Sequence, residues 1–206
     1  MKKYISILIL LFGLLVELIN AQPDNSTYVG INLPPILRTE VELGYERNFS
    51  PHLTIELFGG YLINSTIDSP TKIGTVHNFE RKSGFFIKSG ARFNLRRDPV
   101  KFAPFIGLHL VNSVAIEKGV YNDSFPGYET RAGERFSNNA YNLGLIGMIG
   151  LTTPLTTRIG GEVGIQAGKL LVDNLIDFHS YMPGMGVNKV NGTRFQGVVR
   201  IKYKIN

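Results

Sequence analysis

Four carboxylates and four cations fall at positions that extended chain would turn to one side: Glu42, Glu46, Glu56 and Glu162, against Lys88, Arg92, Arg200 and Lys202. Charges withdrawn from bulk water must be paired, or they change protonation instead. Such a set can serve as a structural ion-pair network or as a polar path for ions or protons. Counting back from the intervening turns places Glu46, Glu56 and Arg92 at similar depth on neighbouring segments. Glu162 and Arg200 meet the same condition on the last pair of segments. The expectation is a structural network that fills a narrow interior.

Catalytic chemistry finds less support. The histidines are His52, His77, His109 and His179, and only His109 falls on the inward side of a regular segment. His109, Ser113 and Glu117 share one face of a strand, but a four-residue step spans ~13 Å at ~3.3 Å per residue, too far for a Ser-His pair. Asn122-Asp123-Ser124 and Asp173-Asn174 read as turn formers rather than metal ligands. The glycines fit no phosphate-loop pattern. The chain has no cysteine, which removes disulfides, thiolate metal sites and a thiol nucleophile together. The net charge of +6 is spread without a basic stripe, so nucleic acid is not an expected partner. No catalytic residue, cofactor or metal is expected.

The elements that must position these charges show a period of two. In residues 39–64, Val41, Leu43, Tyr45 and Phe49 alternate with Glu40, Glu42, Gly44, Glu46 and Asn48. Leu53, Ile55, Leu57, Gly59, Tyr61 and Ile63 then alternate with Thr54, Glu56, Phe58, Gly60 and Leu62. Successive side chains of a strand point to opposite faces, so each strand is apolar on one side and charged or mixed on the other. Ser50-Pro51-His52 breaks the hairpin. The same pattern predicts strands over 27–33, 36–49, 52–64, 83–96, 102–117, 138–152, 157–169 and 193–206. After the Pro34-Pro35 reversal, short turns alternate with three long loops, over 65–82, 118–137 and 170–192.

Residues 1–21 read as a cleaved signal peptide, with Lys2 and Lys3 before an apolar run of about a dozen residues, short of the ~20 a helix needs to span a bilayer. Residues 22–206 are then a single all-β domain. Eight strands, apolar on one face, with long and short connections segregated, predict an antiparallel up-and-down transmembrane β-barrel. Tyr61, Phe85, Tyr141 and Phe195 fall toward the long-loop end, and Tyr45, Phe49, Phe93, Phe102 and Tyr203 toward the short-turn end, as two interfacial girdles would. The sequence leaves open whether the short first strand closes the barrel against the last. The glycine pairs Gly59-Gly60 and Gly160-Gly161 are expected to favour bending. In the long loops, Tyr121, Phe125, Tyr128, Phe178, Tyr181 and Met182, with Phe136 and Met185, form either a partner-contact surface or a lid over the barrel mouth.

The stretch L-G-Y-E-R-N-F-S-P-H-L-T-I-E-L-F-G-G-Y, with its N-L-P-P-I-L lead-in, resembles the small outer-membrane β-barrel proteins of Gram-negative bacteria. The resemblance implies a barrel embedded in outer-membrane lipid, and little about activity. The end of the chain departs from the family: Tyr203 is internal and Asn206 terminal, where such barrels finish on an aromatic residue. The expected role is non-catalytic: structural, or surface interaction with an extracellular protein or glycan through the long loops, by a monomer. A narrow solute channel is the alternative. A lipid-modifying enzyme, and a soluble barrel with its apolar face turned inward, are the remaining readings.

Overall fold

The hairpin at the head of the chain forms in register. In the computed structural model, β2 (Glu40–Asn48) pairs with β3 (Leu53–Ser65), setting Glu46 opposite Glu56 and Tyr45 opposite Leu57. The turn is held locally: the backbone N–H groups of Phe49 and Ser50 donate to the Leu53 carbonyl. The Ser50 hydroxyl accepts from the backbone N–H of Leu53 at 3.0 Å. His52 adds a tie to the next turn, its Nδ1–H donating to the Asn94 carbonyl at 2.7 Å while its ring stacks on Phe93. The structure describes residues 26–33, 40–65, 77–95, 102–121, 133–174, 182–190 and 192–205. The signal peptide assigned to 1–21 lies outside the described residues.

The remaining strands continue the meander. They are β1 (Thr27–Asn32), β4 (His77–Asn94), β5 (Ala103–Tyr121), β6 (Arg135–Pro154), β7 (Ile159–Val172), β8 (Val187–Val190) and β9 (Thr193–Lys204). All pairings are antiparallel, and β1 closes on β9 with Gly30 opposite Lys202 and Asn32 opposite Arg200. The result is a closed eight-stranded barrel, with β8 as a short addition. Pairing of β1 with β9 joins the two end strands of the meander.

Two features differ from the sequence expectation. The first is strand length. β4 starts at His77, β5 runs to Tyr121 and β6 starts at Arg135, so residues expected in long loops are strand. These extensions pair with one another, His77 with Tyr121 and Arg135 with Val120. Ladder bonds satisfy their backbone without an apolar face, so no hydrophobic period marks them. The second is β8, which no pattern in the sequence announces. β1 pairs with the lower part of β9, from Lys204 to Arg200, whereas β8 pairs with its upper part, Arg194 and Phe195. β8 therefore takes up the β9 edge that the short β1 does not reach.

The faces are unambiguous. Leu43, Leu57, Leu108, Ile149 and Ile165 project outward, each about half exposed, while Glu42, Lys88 and Glu117 are wholly buried inside. This excludes the reading of a soluble barrel with its apolar face inward. Of the girdle residues, Tyr61 pairs with Phe85, Phe85 with Val114, and Val114 with Tyr141, forming one outward row. On β5 this row, at Val114, stands 12 positions above Phe102, just before the strand, near the ~9–11 residues that a tilted transmembrane strand needs.

Candidate functional site

Among the described residues, the fold gathers its charged groups in the lumen. All eight charged residues of the sequence pattern point into it, none more than 4% exposed. Arg92 is the hub. Its guanidinium reaches Glu46 at 3.0 Å, Glu56 at 3.1 Å and also Glu162. Carboxylate oxygens of those three glutamates lie within 4.8 Å of one another, the spacing a metal ion would use. Here the guanidinium supplies the cation. Lys202 bridges Glu46 at 3.0 Å and Glu162 at 2.9 Å, and Arg200 bonds Glu162 at 2.7 Å. One layer up, Lys88 meets Glu42 at 2.9 Å, with Arg200 at 3.4 Å from the same carboxylate. Glu42 also accepts from the Asn32 amide, and Lys88 donates to Gln166. Every charge in the network faces at least one opposite charge, as burial in low dielectric demands.

Aromatic rings pack between the charges. Arg200 lies 3.9 Å from the centre of the Phe58 ring, and Arg92 lies 5.0 Å from that of Phe105. Each ring has a glycine opposite it on the adjacent strand: Phe58 faces Gly44, Phe86 faces Gly60, and Phe105 faces Gly150. A Cβ on any of these glycines would collide with the facing ring. Gly60, expected to favour bending, makes room for the Phe86 ring. Alternating a large side chain with none lets the layers of a narrow barrel interdigitate.

His109 belongs to the network by the same device. Its Nε2 lies 2.7 Å from Glu56, on a strand two away. Gly90 sits between them in the same row, opposite Glu56 on one side and His109 on the other. With no side chain at Gly90, the carboxylate and the imidazole meet across the intervening strand. Sequence reasoning tested His109 against Ser113 and so missed Glu56. The available signal was a glycine at inward parity between an inward acid and an inward histidine. Ser113 is buried, and no hydrogen bond is formed by its hydroxyl.

At the long-loop end, residues 182–186 pack inside the lumen. Residues 182–186 form a tight turn, with Met182 and Gly186 exchanging backbone bonds of 2.9 and 3.0 Å. Met182 and Met185 are buried against Phe86, Val111 and Ile146. The backbone N–H of Gly184 donates to Glu40, and its carbonyl accepts from Gln166. Gly184 and Gly186 have φ of +77° and +93°, a region open to glycine at little cost. Met182 therefore offers no outer contact surface, contrary to one of the two readings of the loop apolar residues. It lies inside as part of a plug. Tyr121 is at the end of β5 with its ring against Phe136, so it is a strand residue rather than a loop one. Phe125, Tyr128, Phe178 and Tyr181 lie outside the described residues. Asn174 fastens the chain leaving β7 onto β6: its amide donates to the Tyr141 carbonyl, and its backbone N–H donates to Asn142.

No family model matches the chain, and no curated protein matches it either. Solved structures do. The N-terminal β-barrel domain of Pseudomonas aeruginosa OprF superposes with a TM-score of 0.51 at 8% identity, covering 89% of this chain and all (100%) of that one. Neisserial surface protein A, NspA, superposes with a TM-score of 0.48 at 10% identity, covering 87% of this chain and 94% of that one. At such identities the likeness to the OprF domain is one of fold: an eight-stranded antiparallel barrel.

Proposed function

We propose that residues 22–206 form an outer-membrane barrel, exported with cleavage of residues 1–21, that conducts no solute and catalyses no reaction. Its role is structural and surface-directed, through the connections on the long-loop side. The observation that carries this reading is the combination of an apolar outer belt with a lumen crossed by layers of paired charges. An exterior of half-exposed Leu, Ile and Val suits lipid and not water. A lumen crossed by layers of paired charges supports an interior role of stability rather than transport. Because β1 closes on β9, the barrel completes its own sheet, which supports a monomer. Phe125, Tyr128, Phe178 and Tyr181 are the loop aromatics we assign to contact with an extracellular protein or glycan partner.

Fractionation of the tagged full-length protein, with gel mobility before and after boiling, tests the location. An outer-membrane fraction with heat-modifiable migration is expected, and a soluble periplasmic product would end the reading. Planar-bilayer recording tests the lumen. Purified protein should insert without resolvable single-channel steps. A reproducible open level would transfer the assignment to the narrow-channel alternative, and the network would then have to be a conduit.

A further inference from the structure

The apolar belt is indented at Gly161, near the short turns. A groove of about 240 Å³ opens there on the outside of the barrel, bounded by Phe102, Leu151, Leu155, Val163 and Ile201. All five side chains are exposed on the outer face. Glu162 and Arg200 also border the groove, but their charged groups lie across the wall, paired in the lumen. The groove exists because its row has no side chain at the centre. Gly161 stands at outward parity, opposite Thr153 on β6 and Ile201 on β9. A Cβ there would lie 3.3 Å from a Leu155 methyl, inside the groove. The turn that presents Leu155 is fixed: the Leu155 backbone N–H donates to the Ile159 carbonyl at 2.8 Å, and the Thr156 hydroxyl accepts from the Ile159 N–H at 2.9 Å.

Two residues toward the turn, Ile159 pairs with Tyr203. The Arg158 guanidinium donates to the Tyr203 hydroxyl at 3.3 Å, and Tyr203 is on the outer face. A cation is thereby held on the lipid side of the rim, next to the groove. A guanidinium has five N–H donors, so it can bond a phosphate while one stays on Tyr203. The groove is smaller than the ~300–1,000 Å³ that encloses a drug-sized ligand. It opens sideways along the belt, a shape for one hydrocarbon chain.

We propose that this groove is a specific site for a glycerophospholipid of the leaflet on the short-turn side, with one acyl chain over Gly161 and the phosphate on Arg158. The proposal rests on the membrane-embedded reading above. Hydrophobic burial does not hold the chain there, because the competing surroundings are hydrocarbon too. Packing into the groove and a charge-assisted hydrogen bond do.

The test is native mass spectrometry of the full chain, folded in non-ionic detergent micelles and titrated with dioleoyl phosphatidylglycerol. A one-to-one adduct is expected before further lipids bind. It should be at least fivefold weaker in Gly161→Leu, which fills the groove, and at least threefold weaker in Arg158→Gln. Gly147→Leu should match the wild type, since Gly147 faces outward elsewhere in the belt, opposite Leu108. Absence of the adduct overturns the proposal, as do equal adducts in the two leucine variants or wild-type binding by Arg158→Gln. Dioleoylglycerol, which lacks the phosphate, should bind at least threefold more weakly, and equal binding overturns the phospholipid assignment. Heat-modifiable mobility of the same samples separates the two readings. A chain that shows no shift and stays soluble without detergent sinks both, whereas a shifted, micelle-bound barrel without the adduct sinks only the groove.

Discussion

Arg92 joins three carboxylates of the interior, as Glu162 joins three cations. Removing Arg92 therefore leaves buried negative charge with too few partners. Breaking one side of a buried pair costs about 3–5 kcal/mol, whereas replacing both sides by apolar groups is often neutral. Arg92→Ala should therefore lower the stability of the folded barrel by about that amount, read from the urea midpoint of its heat-modifiable form. A midpoint within error of the wild type would mean that the network is not structural. Gly90 makes a subtler case. A Cβ there meets the His109 ring and the Leu108 carbonyl. Gly90→Ala is expected to cost about 1–3 kcal/mol by overpacking. It should also separate His109 from Glu56, moving the imidazole nitrogen resonances of His109. Resonances that stay in place would show that the row has room to spare.

At the scale of elements, the plug and β8 form one device made from the last long loop. Gly186 permits it twice over. Its φ is +93°, and a Cβ would strike the Phe195 carbonyl of β9. A non-glycine residue in left-handed backbone costs roughly 1–2 kcal/mol before any clash is counted. Gly186→Ala should loosen residues 182–186 while leaving the barrel ladder closed. Amide exchange at Gly184 and Met185 is then expected to accelerate, with the amides of β5 and β6 unchanged. Equal acceleration in the strands would mean that the plug and the wall open as one unit.

At the scale of the whole molecule, the outer belt decides where the barrel can reside. Leu108 lies on β5 between Phe102 and the Tyr141 row, 57% exposed. An arginine at mid-depth on a lipid face costs about 2–4 kcal/mol, falling to about 0–1 near the interfaces. Leu108→Arg should thus destabilise the barrel in bilayers by more than an arginine at Phe102. Reversible denaturant unfolding in lipid vesicles measures both. Equal penalties at the two depths would argue against a membrane-embedded belt.

The sequence by itself determined the eight strands of the barrel, the alternation along each of them and the eight charges of the ion-pair network. A period of two is a local property: Leu57 and Glu56 differ by one residue, so they must point opposite ways wherever the strand goes. It also placed Glu46 near Glu56, because the short turn at 49–52 sets that register. Three things waited for the tertiary structure. Which face is outermost is a property of closure, since a flat alternating strand is the same from either side. The Glu56–His109 contact required β3, β4 and β5 to align with Gly90 in one row, and no local pattern reports a residue two strands away. The inward course of Met182 and Met185 depended on the space left above the ion-pair layers. That space exists only once eight strands have closed around it.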